Sequence, residues 1–277
     1  MSLKHAEQLA AIAREAAELI NDVYRTSFDV DYKGPNDPVT AADRSANDLI
    51  CQRLAELYPG VPVVAEESDP ASFAEYRRAE RIFFVDPLDG TREFVARNGE
   101  FVVMIGLVEA ERASVGVIHA PTTGITWLGS VGEGAYRIDA QGQHTRIQVA
   151  SAERLADARV VVSRSHRSEV LDQVLHVLGA REVVPVGSAG LKGAHVASGA
   201  ADAYVSPRYA GKRWDACAAD ALVTAAGGRF TDAWGDAIDY RAANLANDRG
   251  VLASNADLHA ALLARFAELS RGEADPD

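Results

Sequence analysis

The 277-residue sequence has only two cysteines, Cys51 and Cys217, which lie far apart and form no CxxC pair. Neither a disulfide framework nor a cysteine-rich zinc site is available, and a reducing cytoplasm fits this usage best. Positive charge is also in short supply: 28 Lys and Arg stand against 40 Asp and Glu, a formal charge of −12 at pH 7. Sequence-independent binding to a nucleic-acid polymer relies on a dense basic surface that displaces counterions from phosphate, so this chain is not built for it. A small phosphorylated molecule remains open as a partner. No window approaches the ~20 apolar residues of a membrane span. The N-terminal stretch interleaves Lys4, Glu7, Arg14, Glu15 and Glu18 with apolar residues where a signal peptide would be continuous. There is no internal repeat and no low-complexity linker, and only the tail Gly272–Asp277 has the composition of a disordered end.

What is present is an ordinary globular balance, 48% hydrophobic and 25% charged, in a length that suits about two compact units at roughly 100 to 200 residues each. Leu9, Ile12, Ala13, Ala16, Leu19, Ile20 and Val23 recur at three- and four-residue spacing, which predicts an amphipathic helix. Gly34, Pro35 and Pro38 break it, and a second helix pattern runs from Thr40 to the stop at Pro59-Gly60. From Val61 short apolar or alternating runs separated by turn residues predict a meandering sheet: 63–65, 82–85, 101–108, 114–119 and 125–128. Beyond about residue 150 strands and helices alternate, with a helix expected from Ser168, others through Leu191 and after Trp214, and strands at 160–162, 183–186 and 203–205. The change of rhythm, at about 140 to 155, predicts an α+β unit over 1–145 and an α/β unit over 146–277.

The densest chemistry is Phe83-Phe84-Val85-Asp86-Pro87-Leu88-Asp89-Gly90-Thr91, an apolar strand delivering two carboxylates three residues apart. Two hard oxygen ligands with a carbonyl between them suit Mg²⁺, and amides opening a following helix suit a phosphate. The same letters also describe an Asx-turn leading to a helix cap. Glu66-Glu67 ends the preceding strand pattern and Asp215 opens the helix after Trp214; a solvated strand exit and a helix cap are the plain alternatives. If these groups share one cleft, each bare pair at ~5 Å repels by about 3 kcal/mol at an effective dielectric of ~20, a severe load on a stability of roughly 5 to 15 kcal/mol. Divalent cations are the natural remedy. Thr40-x-x-Asp43 resembles a capping box with Asp in place of Glu; alternatively Asp43 takes a proton through the hydroxyl of Thr91.

Pro38-Val39-Thr40-Ala41-Ala42-Asp43, Glu66-Glu67, Asp86 to Thr91 and Trp214-Asp215 follow one another in the order of the lithium-sensitive, magnesium-dependent phosphatase superfamily of inositol monophosphatase and fructose-1,6-bisphosphatase, which the chain resembles from about residue 36 to 255. Within it, Thr91-Arg92-Glu93-Phe94-Val95, Asn98-Gly99-Glu100-Phe101, Ser163-Arg164-Ser165-His166 and Lys212 to Ala218 look most like the 3'(2'),5'-bisphosphate nucleotidases, including the bacterial CysQ type. Two departures stand out: Gly187-Ser188-Ala189-Gly190-Leu191-Lys192 is longer than the usual bacterial version, and Ser163 stands where the animal-type version has Thr. The resemblance implies a layered αβαβα sandwich of the inositol monophosphatase-like sugar phosphatase fold. It implies two or three Mg²⁺ held by Glu66, Asp86, the Leu88 carbonyl, Asp89 and Asp215, with Glu67 just outside. Thr91 and Asp43 would activate a water, and the amides of Gly90 and Thr91 would hold the scissile phosphate. Ser163, His166, Ser188 and Lys192 would contact the nucleoside monophosphate, with Lys192 or Arg208 near its remaining phosphate. Trp214 and both cysteines read as packing residues. The implied reaction is hydrolysis of 3'-phosphoadenosine 5'-phosphate to AMP, a step of sulfur metabolism; an inositol or other sugar phosphate is the alternative substrate. Monomer and homodimer both remain open.

Overall fold

The protein is described by a computed structural model covering residues 2–34, 37–165 and 169–272. Its first helix, α1 (Leu3–Tyr24), is followed by a short hairpin, β1 (Asp31–Gly34) and β2 (Asp37–Val39), then α2 (Ala41–Leu57). Strands β3 (Val63–Ala65) and β4 (Arg81–Asp89) lead to a single helical turn, α3 (Thr91–Val95). The meander β5 (Val102–Glu109), β6 (Arg112–Ala120), β7 (Ile125–Ser130), β8 (Gly134–Ile138) and β9 (His144–Ile147) completes a seven-stranded sheet in simple sequence order, with β3 and β4 parallel and the rest antiparallel. The remaining chain gives β10 (Arg159–Ser163), α4 (Glu169–Leu178), β11 (Glu182–Val186), α5 (Ala189–Ala197), β12 (Ala203–Ser206), α6 (Arg213–Ala225), β13 (Arg229–Thr231), β14 (Val251–Ser254) and α7 (Ala256–Gly272). Their strands form a second sheet in the order β11-β10-β12-β14-β13.

The layers follow from which face each residue buries. Along β4, Phe83 and Val85 point into a core shared with Leu9, Ile12 and Ile20 of α1 and Ile50 and Leu54 of α2, while Ile82 and Phe84 point into a core built with α5 and α6. Period-two alternation thus serves two apolar faces, which is why these strands read as continuous apolar runs. The middle core also receives Val161, Tyr204 and Ala253 from the second sheet, whose far face meets α4 and α7 through Val160, Leu171, Leu252 and Leu262. Helix pair, sheet, helix pair, sheet, helix pair: this is the expected αβαβα sandwich.

Several expectations need correction. The break at 31–38 is a hairpin in which Tyr32 faces Pro38 across the pair; Pro38 fits there because an edge strand can do without its N–H. The carboxylates do not leave the strand on a turn. β4 runs on through Asp89, with an irregular register against β5 between Asp86 and Asp89. Strands β8, β9, β13 and β14 went unpredicted because they are short, β9 being exposed along most of its length; helix α7 also went unpredicted, although Leu258, Leu262 and Phe266 are spaced as a buried helical face. The proposed disordered tail lies outside the described residues from 273 onward.

One feature places α6. Gly106 pairs with Gly116 and Gly116 with Gly129 on neighbouring strands, making a row of bare backbone across β5, β6 and β7. A methyl added at Gly106 would stand 2.6 Å from Cys217 Sγ, at Gly116 2.1 Å from the Ala218 carbonyl oxygen, and at Gly129 2.9 Å from Ala225 Cβ. Helix α6 therefore lies against the sheet at backbone distance, with small residues facing it. Gly116→Ala is expected to cost at least about 1–3 kcal/mol, as overpacking does, lowering the thermal midpoint by several degrees. Gly34→Ala, where the new methyl meets nothing within 4 Å, should leave it unchanged.

Candidate active site

A cleft of about 590 Å³ opens where β3, β4, the start of α3 and the N-terminal ends of α5 and α6 meet, a size suited to a small ligand. Glu66, Asp86, Leu88, Asp89, Gly90, Thr91, Ser163, Ser188, Lys192 and Asp215 all line it. Asp86, Asp89 and Asp215 each present a carboxylate oxygen, and the three oxygens lie within 4.8 Å of one another. The donors are hard oxygens, converging and largely buried, which fits a hard divalent cation.

Each carboxylate is fixed by backbone donors. Asp43 is N3 of α2 and is 2% exposed; its Oδ2 accepts from Thr40 N at 2.8 Å and Thr40 Oγ1 at 2.7 Å, while its Oδ1 accepts from Thr91 Oγ1 at 3.0 Å. The two readings of Thr40-x-x-Asp43 are therefore compatible, one on each oxygen. Asp215 repeats the arrangement at α6, where Lys212 N donates to its Oδ2 at 2.5 Å. Gly211 leaves the space for this: at φ 73°, an added Cβ would lie 2.3 Å from that same oxygen. Leu88 N donates to Asp86 Oδ1 at 3.0 Å. Asp89 Oδ2 accepts from Ser188 Oγ at 2.5 Å and from Gly190 N at 2.7 Å.

Bringing these groups together is electrostatically costly. Burial, reinforced by Asp215, pushes the Glu66 carboxyl up to about 8, and burial with Asp89 pushes Asp215 up to about 7. Burial, with Glu66, Asp89 and Asp215 nearby, drives Asp86 well above the usual carboxylate range. Burial also raises Asp43, against the opposing hydrogen bonds from Thr40 and Thr91. Burial and mutual repulsion favour a positive counter-charge at this spot, which a proton or a divalent cation can supply.

The remaining residues divide between the cleft and its surroundings. Glu67 does not line the cleft; with Glu66 it holds Lys33 Nζ, which is 2.7 Å from an oxygen of each. Burial lowers the proton affinity of Lys33, but the two glutamates outweigh it and the net shift is upward. Lys33 was missed because its segment read as a chain break, and nothing local marks a hairpin that reaches the site. Arg208 is exposed and does not line the cleft; its neighbour Tyr209 does, 55% exposed. In a loop without periodicity no sequence signal separates the two. Glu93 also lines the cleft, 4% exposed and accepting a hydrogen bond from Ser165 Oγ. Trp214 packs partly buried against the middle core and contributes to the cleft wall. Cys217 is buried and Cys51 half-buried. His166 lies outside the described residues.

The raised carboxyls set a pH dependence. A group whose folded pKa exceeds its unfolded value stabilises the fold below the unfolded pKa and loses that contribution as pH rises through the folded one. In chelator, the thermal midpoint should therefore fall between pH 6.5 and about 8 as Glu66 and Asp215 ionise. Buried His119 and His259, both pushed down to about 4, are neutral in the folded state throughout this window, while in the unfolded chain they lose their protons around pH 6.5; they oppose the fall at its lower edge and have no effect by about pH 7.5. Saturating divalent cation should remove the share of the fall due to Glu66 and Asp215, leaving that of Asp220, which burial pushes up to about 7 away from the cleft. At pH 7 its binding should release protons, seen by calorimetry in buffers of different ionisation enthalpy; a midpoint that rises over this window in chelator would contradict the assignment.

The pattern of the inositol monophosphatase family matches residues 3–271. The Salmonella typhimurium protein named 3'(2'),5'-bisphosphate nucleotidase CysQ is 38% identical over 240 residues, 84% of this chain and 93% of its own length. Its counterpart of the same name in Escherichia coli K12 is 39% identical over the same shares. Among solved structures, CysQ from Bacteroides thetaiotaomicron matches with a TM-score of 0.75 at 29% identity, covering 91% of this chain and 97% of that one. The extragenic suppressor protein suhB from Bartonella henselae matches with a TM-score of 0.80 at 26% identity, covering 94% and 97%. Sequence order, layer order and whole-chain similarity agree, and the chain belongs to the inositol monophosphatase family.

Proposed function

We propose that this protein is a Mg²⁺-dependent phosphomonoesterase that hydrolyses 3'-phosphoadenosine 5'-phosphate to AMP and phosphate. The observation that carries the reading is the 3.0 Å contact of Thr91 Oγ1 with Asp43 Oδ1 beside the three-carboxylate cluster. The nucleotide follows from relatives of that name covering 84% of the chain. Two or three Mg²⁺ would be held by Glu66, Asp86, the Leu88 carbonyl, Asp89 and Asp215, with Glu67 outside, and when bound would polarise the phosphoryl group and offset charge on the leaving ribose oxygen.

The chain's own part is proton handling and placement. With its proton directed to Asp43, the Thr91 hydroxyl presents its oxygen to an attacking water, accepts that water's proton and passes its own to Asp43. Burial makes Asp43 a stronger proton acceptor than an ordinary aspartate, and the two Thr40 bonds hold its other oxygen still. The amides of Gly90 and Thr91 would hold the scissile phosphate. Gly90 has φ 100°, and an added Cβ there would lie 2.9 Å from the Glu100 carbonyl oxygen, so glycine is required. Ser163, with His166, would contact the nucleoside. Ser188 and Lys192 stand on the same wall, and Lys192 or Arg208 would be near the remaining phosphate, with the cleft-lining Arg92 a further cation within the site.

We read the chain as two units, 1–145 and 146–277, with α6 of the second laid on the sheet of the first so that Asp215 completes a site otherwise carried by β3 and β4. The sparse, unpaired cysteines fit a reducing cytoplasm, and among the described residues no helix is long and apolar enough to cross a membrane.

A comparison of kcat/KM for 3'-phosphoadenosine 5'-phosphate and inositol 1-phosphate should favour the nucleotide; a preference for inositol 1-phosphate would assign the site to a sugar phosphate instead. Asp43→Asn should lower kcat by about 10²–10⁴-fold, the range of a lost general base, with little change in fold by circular dichroism. Asp89→Asn should abolish phosphate release, and appreciable residual turnover would count against Asp89 as a metal ligand.

A further inference from the structure

The corner between β11 and α5 is built in a way that substrate contact alone does not explain. Ser188 sits at φ 54°, one of three non-glycine residues at positive φ among those described. That backbone turn sends its hydroxyl to Asp89 Oδ2 at 2.5 Å, while the same oxygen accepts from Leu191 N at 3.0 Å and so caps α5. Gly190 N donates to Asp89 Oδ2 as well. With Oδ2 held twice, the orientation of the Asp89 carboxylate is set, and its Oδ1 has no donor among the described residues.

Lys192 holds the corner from behind. Only 3% exposed, it places Nζ 2.6 Å from the Ser188 carbonyl, 3.4 Å from that of Val186 and 3.5 Å from that of Gly187, and 5.2 Å from the centre of the Tyr204 ring. Three backbone carbonyls and an aromatic face account for the ammonium. The corner has no slack on its other sides: an added Cβ would lie 2.4 Å from Glu93 Cγ at Gly187, and 2.7 Å from Val102 Cγ2 at Gly190.

We propose that Lys192 and Ser188 are positioning residues for Asp89. The ammonium gathers the carbonyls of residues 186 to 188, the gathered backbone keeps Ser188 at positive φ, and the Ser188 hydroxyl fixes Asp89 as a ligand for a divalent cation. Hydrogen bonds of this kind to a metal ligand tune affinity as well as orientation. The inference rests on Asp89 being a ligand, as in the proposed function, and goes beyond it by giving two residues expected at the substrate a role at the metal.

The test is Mn²⁺ binding to the full chain without substrate, followed by the electron paramagnetic resonance signal of the free ion. Ser188→Ala, Ser188→Gly and Lys192→Met should each weaken Mn²⁺ by about 10–100-fold, the usual cost of losing such a support. Glycine accepts positive φ freely, so Ser188→Gly keeps the fold while removing the hydroxyl. The Ser188→Ala/Lys192→Met double variant should bind no more weakly than the worse single one, since both act through one contact. Ser163→Ala should leave Mn²⁺ affinity unchanged. If Ser188→Gly binds Mn²⁺ like the wild type while KM for the bisphosphate nucleotide rises, both residues are substrate contacts and the proposal is overturned. If the wild-type chain itself takes up no Mn²⁺, the metal reading of Asp89 falls with it, an outcome distinct from the first.

Discussion

Like charges must be held together in a poorly solvated place, and the rest of the structure is arranged around that requirement. Asp86, Asp89, Asp215 and Glu66 repel one another and are poorly hydrated, so each left to itself would turn toward water or take up a proton. Every one of them is tied down. Asp86 and Asp215 are held by N–H groups of their own segments, two and three residues away. Asp89 is held by donors about a hundred residues distant and Glu66 by the Lys33 ammonium. A site of this kind is the strained end of a stable scaffold, and the apolar cores on both faces of the seven-stranded sheet supply the stability that it consumes.

Placement of Asp215 depends on bare backbone. Helix α6 can reach the neighbourhood of β4 only because the Gly106, Gly116 and Gly129 row lets it settle onto β5, β6 and β7. Asp215 stands one turn before Ala218, the residue whose carbonyl touches the Gly116 backbone. Displacing the helix at that contact carries the carboxylate with it, and productive metal geometry tolerates only about 0.5 Å. Three glycines in the middle of strands thus belong to the site as much as to the sheet.

Much of what is local in this fold was legible in the sequence, helix α7 being the exception. Helical periodicity gave α1 and α2, alternation and turn residues gave the meander from β4 to β7, and Thr40-x-x-Asp43 and Asp86-Pro87-Leu88-Asp89 showed themselves because their geometry is set within a few residues. The resemblance to a phosphatase superfamily then joined motifs that spacing alone could not join. What stayed hidden is set by pairing at a distance: the hairpin that brings Lys33 to Glu66, the serine that reaches Asp89 across 99 residues of chain, and the choice of Tyr209 over Arg208 to face the cleft. Short strands such as β9 and β14 have no periodicity long enough to read; their neighbours in the sheet create them.

The N-terminal turns of α2 and α6 carry a further consequence. In each, the N–H at the start of the helix donates to a carboxylate at or beside the cleft, Asp215 lining it and Asp43 bonding to Thr91 on its wall. Fraying of either helix end and displacement of that carboxylate are therefore a single event. By linkage, an occupant of the cleft that holds those carboxylates in place also winds up the first turns of both helices. The concentration of that occupant would then govern not only turnover but how much of the time two helix ends are wound at all.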